Sequence, residues 1–320
     1  MDVAGFEGVV GQPTAVQLLS YTLKRQRIAP AYLFVGPEGV GRALTARCFL
    51  RALLGEAAST LVNHPDVLWV EPTYNQQGTL YTRSQLLAAG KELPRGAPQI
   101  RLEQIRHLSR ALSQPPLQAP RSLVVIEAAD TLNEAAANAL LKTLEEPGRA
   151  TLILIAASEA ALLNTIVSRC QRIPFVPLSR PDLETVLQRI APANFWQEVT
   201  PELWQLGAGS PGGVLQAWQL WQETPEALRR LGYQLTAGMS LQQCLELARD
   251  ICQTLDVERQ LWLLGLMQQQ YWHSNCQRGD WLTGQRGLQQ LEQARQYLQQ
   301  YVQPRLVWEV LLMQVTSSRH

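Results

Sequence analysis

Four short apolar runs punctuate the first half of the chain, at residues 32–35, 67–70, 122–126 and 151–157. Each is too short for a stable helix and nearly free of polar residues, the pattern of strands buried on both faces of a parallel sheet. Between them the apolar positions change to three- and four-residue steps. Val16, Leu19 and Leu23 share one face after the turn Gly11-Gln12-Pro13-Thr14. Ile105, Leu108 and Leu112 share another within 100–112, which Gln114-Pro115-Pro116 ends. Further helices are expected through Cys48 and Leu54 to a stop at Gly55, and over 133–144 before Glu145-Glu146-Pro147-Gly148. Residues 71–99 break this rhythm. Pro, Gly, Gln and Asn are frequent there and only 84–89 has helical character, so a long surface excursion is expected.

Beyond Phe175 no comparable apolar run occurs, and Pro174, Pro177 and Pro181 mark a boundary. Helices are expected over 182–190, 201–206 and 213–221, the last two split by Gly207-Ala208-Gly209-Ser210-Pro211-Gly212, and from Thr224 onward the sequence is helical throughout. Leu288, Leu291, Leu298 and Val302 recur at helical steps interrupted by Arg295. That pattern fits one packed helix face or a seam used by partner chains. Alternating strands and helices followed by helices alone predict an α/β domain with a parallel sheet, then all-α structure.

Composition narrows the classes. The 320 residues allow two or three domains, and a hydrophobic share of 46% suffices for a packed core. A net charge of +1 argues against strong autonomous nucleic-acid binding. The five cysteines, Cys48, Cys170, Cys244, Cys252 and Cys276, are scattered and include no Cys-x-x-Cys, so neither a disulfide framework nor a zinc site is expected, and a reducing cytoplasm suits them. The N-terminus does not read as a signal peptide, and no apolar run reaches membrane-spanning length.

The first apolar run leads into Gly36-Pro37-Glu38-Gly39-Val40-Gly41-Arg42-Ala43, which has the spacing of a phosphate-binding loop. Gly36, Gly39 and Gly41 supply the backbone freedom such a loop needs, ahead of a helix whose N–H groups point at a phosphate. Two chemical positions depart from the pattern. Arg42 stands where a lysine normally reaches the terminal phosphates, and Ala43 replaces the hydroxyl that binds magnesium. A nucleotide hydrolase also needs a second strand ending in Asp-Glu, and here 122–126 ends in Glu127-Ala128, which keeps one carboxylate and loses the other. The next strand ends in Ala156-Ala157, without the polar group that senses the γ-phosphate. Losing one such contact typically costs about 3 kcal/mol, on the order of 10²–10³ in rate, so several together predict no useful turnover.

Other segments are well preserved. Ser168-Arg169-Cys170 after Thr165-Ile166 resembles the Ser-Arg-Cys motif of AAA+ clamp-loader subunits. Asn138-Ala139-Leu140-Leu141-Lys142-Thr143-Leu144-Glu145-Glu146-Pro147 is similar to the helix after their second strand, and Phe6-Glu7-Gly8-Val9-Val10-Gly11-Gln12 to their N-terminal box. Asn63-His64-Pro65-Asp66 and Ile100-Arg101-Leu102-Glu103-Gln104-Ile105-Arg106 resemble the delta-prime branch of that family, from the bacterial DNA polymerase III clamp loader. The likeness covers residues 6–178 well and only helical character beyond 225. It implies three domains: an AAA+ α/β core over 1–177, a small helical lid over 178–223 and a helical collar over 224–320 that joins subunits in a ring.

The resemblance also implies a division of labour. Such a subunit hydrolyses little or no ATP and presents Arg169 as an arginine finger to ATP on a neighbouring motor subunit, with Ser168 and Cys170 supporting it. The implied partners are the motor subunits and the delta subunit, with the sliding clamp and primer-template DNA reached through the complex. Gly36, Gly39, Gly41, Arg42 and Glu127 would form a degenerate site with weak ATP or ADP binding or none, and no cofactor is required. The four-cysteine zinc module of many relatives has no counterpart, so no zinc or other metal is expected. The lid arginine expected after Gly209-Ser210 is also missing, with Gly212-Gly213 in its place. The rival readings are a divergent but active ATPase motor using Arg42, and a stand-alone DNA-binding protein, which the near-neutral charge disfavours.

Overall fold

In a computed structural model of the chain, the four apolar runs are strands, joined by three that the pattern did not announce. The structure describes residues 5–55, 61, 64–91, 93–94, 96–231, 239–278, 281–300 and 302–317, with only the backbone for 274–278, 281–284 and 316–317. Contacts divide the chain into two units, 1–186 and 187–320.

The first unit is built on a five-stranded parallel sheet of β1 (Ala31–Val35), β2 (Val67–Val70), β5 (Ser122–Ile126), β6 (Ala150–Ala156) and β7 (Gln171–Pro174), in the order β2-β5-β6-β1-β7. Every residue of β5 and β6 is buried, which is why they read as unbroken apolar runs. β7 escaped the sequence pattern because it is an edge strand in which only Ile173 is buried, and its Pro174 is tolerated at that edge. Among its described residues the sheet is accompanied by α1 (Pro13–Lys24), α2 (Arg42–Leu54), α3 (Arg83–Ala88), α4 (Leu102–Leu112), α5 (Glu134–Glu145) and α6 (Asn164–Val167), and α7 (Arg180–Ile190) begins in this unit and ends beyond residue 186. Ile105 and Leu108 of α4, Leu140 of α5 and Ile166 of α6 close the core over Leu33, Ile126, Leu152 and Leu154. Asn133 is the N-cap of α5 and accepts the Ala136 N–H, so the helix starts one residue later than expected.

The stretch 71–99 corrects the expectation of an irregular excursion. β3 (Thr73–Gln76) and β4 (Thr79–Thr82) form an antiparallel hairpin that continues into α3 through a Thr82/Gln85 capping box. Gln77 and Gly78 turn the hairpin with φ of 52° and 86°, the left-handed pair that a two-residue hairpin loop needs. Tyr74 and Leu86 are buried, and Thr73 pairs with Gln99, so the insertion is tied down at its root.

The second unit is helical over its described residues. Its helices are Phe195–Glu198, Pro201–Leu206, Pro211–Glu223, Glu226–Arg229, Leu241–Thr254, Val257–Arg278, Trp281–Gln299 and Pro304–Ser317. Pro211 opens its helix two residues before the expected start, capped by the Ser210 hydroxyl on the Gly213 N–H at 2.9 Å. Leu291 and Leu298 are buried in one core with Leu263, Met267, Trp308 and Leu311. The leucine periodicity is therefore a packed face, with Leu288 and Val302 packed against the same core, the latter beyond the helix end at Gln299. Trp308, fully buried, donates to Gln260 at 2.9 Å, and Gln260 in turn donates to the Leu255 carbonyl at 2.8 Å.

Candidate functional site

The loop after β1 has the backbone its glycines foretold. Gly39 and Gly41 take φ of 72° and 98°, and Gly41 is the N-cap of α2 with no side chain to cap the first turn. Gly36 is demanded by a close approach as well. A Cβ there would stand 2.3 Å from the Phe175 carbonyl oxygen, where the chain leaves β7. Gln12 fastens the loop from outside. Buried beside it, Gln12 donates to the Val40 and Val176 carbonyls at 3.3 and 2.7 Å and accepts the Val176 N–H at 3.1 Å. The N-terminal box is thus a brace between loop and edge strand, a role that its sequence alone did not disclose.

Arg42, at the lysine position, is buried, and its Nη1 has no hydrogen-bond partner. Burial pulls its pKa below the ordinary value, opposed by the negative charges of Glu38, Asp130 and Glu127. Arg42 thus brings a buried guanidinium to the loop, and Glu38, Asp130 and Glu127 are the acids whose charge it feels. Glu127 lies just past β5, at the same end of the sheet as the loop, and its N–H bonds the Val70 carbonyl at 2.9 Å. Burial raises its pKa, the nearby Glu71 adds to this, and Trp69, Arg47 and Arg42 oppose it. Ala128 follows in the left-handed region at φ 45°. Asp130, not singled out in the sequence, accepts the Ala157 N–H at 3.3 Å and so joins the ends of β5 and β6.

These residues fit magnesium-nucleotide chemistry poorly. Ala43 offers no oxygen, and Glu127 is pushed toward its neutral form beside Glu71. Ala128 and the Ala156-Ala157 pair offer no polar side chain at the two remaining positions. Among the described residues, no group of three or more His, Cys, Asp or Glu side chains is arranged to hold a metal ion.

Ser168-Arg169-Cys170 is set at the opposite end of the sheet, between α6 and the N-terminus of β7. Ser168 is the C-cap of α6 and donates to the Thr165 carbonyl at 3.1 Å. Cys170 packs against the core, and burial pushes its thiol up to about 11, so it acts by packing and not as a thiolate. Arg169 reaches outward with its side chain 37% exposed. Its Nη1 donates to the Thr165 carbonyl at 2.9 Å and its Nη2 to the Glu145 carboxylate at 2.8 Å. The loop and Arg169 are therefore two separate sites on one sheet.

Asn63 lies outside the described residues, but its neighbours explain the motif that it opens. His64 Nδ1 accepts the Asp66 N–H at 3.2 Å, and the buried Asp66 carboxylate accepts the N–H groups of Leu117, Gln118 and Ala119 at 2.6, 2.7 and 2.7 Å. His107, on the polar side of α4, is exposed.

Comparison with known proteins bears on the whole chain. The model of the family described as "DNA polymerase III, delta subunit" matches residues 11–179, more than half of the chain, and that of "Cyanobacterial DNA polymerase III delta prime, C-terminal domain" matches residues 181–315. The delta-prime subunit of DNA polymerase III from Bacillus subtilis is 31% identical over 224 residues, covering 65% of this chain and 59% of that protein. The Pseudomonas aeruginosa delta-prime subunit is 32% identical over 205 residues, covering 58% and 55%. The match thus spans less than two thirds of either relative. A DNA polymerase III gamma-subunit-related protein of Thermotoga maritima shares the fold, with a TM-score of 0.57 at 17% identity over 96% of this chain and all of that one. No helix among the described residues is long and apolar enough to cross a membrane. By its sheet and these matches, the chain belongs to the delta-prime branch of the DNA polymerase III clamp-loader family.

Proposed function

We propose that this chain is a non-hydrolysing subunit of a clamp-loader complex that lends Arg169 to ATP held by a neighbouring subunit. The observation that carries the reading is the contrast between the two ends of one sheet. At one end a buried arginine with an unpartnered Nη1 stands at the lysine position of the loop, and Ala43 and Ala128 replace the hydroxyl and the second carboxylate. At the other an arginine stands exposed and anchored on ordered backbone. A guanidinium offers five N–H donors, and Arg169 spends two on Thr165 and Glu145, leaving three for γ-phosphate oxygens. Such a cation supplied in trans offsets the charge that develops during phosphoryl transfer.

In this reading the partners are ATP-binding motor subunits and a delta subunit in a ring, acting in the cytoplasm. The sliding clamp and primer-template DNA are reached through the assembly. The three-part division into core, lid over 178–223 and collar from 224 belongs to the same proposal. Weak ATP or ADP binding at the loop needs no catalysis: the uncapped first turn of α2 and the unpartnered Arg42 Nη1 offer donors, and the negative charges of Glu38, Asp130 and Glu127 oppose an anion. Steady-state ATP turnover by the isolated chain, with and without primed DNA, tests the reading. No turnover above buffer is expected. Turnover that disappears in Arg42→Ala would establish the motor reading instead.

A further inference from the structure

The tip of Arg169 is held by a residue that no functional motif required. The backbone around it is fixed by α6: the N–H groups of Ser168, Arg169 and Cys170 bond the carbonyls of Asn164, Ile166 and Val167 at 2.9, 3.1 and 3.3 Å. Cys170 anchors the following position in the core. That leaves the long side chain, whose rotamers are costly to order and which is 37% exposed. Two acceptors define its end. One is the Thr165 carbonyl. The other is Glu145, the last residue of α5, 24 positions earlier in the chain.

Glu145 is badly placed for helix stability. With Glu146 as the C-cap, two carboxylates stand at the negative end of the α5 dipole, where a cation would be favoured. The arrangement becomes intelligible once Arg169 is included. The guanidinium bonds the carboxylate that ends α5 and a carbonyl of α6, so it adds a positive charge at the α5 terminus to that of Lys142 in the last turn. A local rule is broken where a functional geometry is set. The pair itself is solvent-exposed, with Glu145 53% accessible, and exposed pairs contribute little to stability, so its role is orientation.

We propose that Glu145 is the positioning residue for Arg169, holding one edge of the guanidinium so that its remaining donors face an anionic oxygen on a neighbouring chain. This rests on the arginine-finger reading of Arg169. Proximity effects fall steeply with misplacement of about 1 Å, so a finger free to sample other rotamers works more slowly without binding substrate less well.

The test is DNA-stimulated ATP hydrolysis by the complete loader assembled with variants of this chain. Glu145→Ala is expected to lower kcat about tenfold with KM for ATP unchanged, a loss well inside the effect of such misplacement. Glu145→Gln, whose amide oxygen accepts the same hydrogen bond, recovers part of the loss, and Glu146→Gln behaves as wild type. Adding Glu145→Ala to Arg169→Ala causes no further loss, because the two act as one unit. Full activity or acceleration in Glu145→Ala, beside a slow Arg169→Ala, would overturn the positioning role and leave the finger standing. So would independent losses in the double variant. A loader at full speed with Arg169→Ala would overturn the finger reading and this inference with it.

Discussion

Asp66 shows how much one side chain can hold. Burial alone would raise its pKa, but the N–H groups of Ala119, Leu117 and Gln118 outweigh that and hold it below the ordinary value, with His64 helping. A carboxylate with a depressed pKa stabilises the fold at pH values above its unfolded pKa of about 4, and that stabilisation is lost as pH falls through the folded value. Asp66→Asn is expected to cost about 3 kcal/mol at pH 7, since an amide leaves buried donors unpaired. Its deficit relative to wild type should shrink below about pH 4. Urea denaturation at a series of pH values measures both, and a deficit that stayed constant into acid would assign the cost to packing instead. The sequence offered the motif around Asp66 only as a family likeness, because the three donors lie some 50 residues away and nothing local announces them. Gln12 and Glu145 were opaque for the same reason: each acts across a long sequence separation. Arg42, Ala43 and Ala128 were legible, since a missing lysine, hydroxyl or carboxylate shows in the letters themselves.

At the scale of elements, burial decided what could be read. β1, β5 and β6 are enclosed on both faces and announced themselves as apolar runs. β3, β4 and β7 carry polar residues such as Asn75, Gln76, Thr79, Gln171 and Arg172, and no periodicity separates them from loop. The hairpin turn was hidden as well, because Gln-Gly is not the Asn-Gly pair that usually marks such a loop. In the second unit the helices were legible and their packing was not. Gly287 lies where a Cβ would come 2.4 Å from the Tyr271 ring, so the helices Val257–Arg278 and Trp281–Gln299 meet through a glycine. Gly287→Ala is expected to force that pair apart and cost about 1–3 kcal/mol, as overpacking does. Thermal denaturation reads the change, and an unchanged or raised Tm would mean that Tyr271 swings aside freely.

For the molecule as a whole, function turns on which charges face which way. A net charge of +1 argues against strong nucleic-acid binding by the chain alone, and the chain belongs to a family of polymerase subunits. The chain's proposed task is to present a cation to another chain's nucleotide, while its own loop carries a buried Arg42 and no hydroxyl at Ala43. The most direct measurement is DNA-stimulated ATP hydrolysis by the loader reconstituted with wild-type chain or with Arg169→Ala, with folding and assembly checked for both. A finger in trans contributes on the order of 10³ to such reactions, and the loss expected here is at least about tenfold, in a complex that still assembles. Equal turnover by the two complexes would contradict the account.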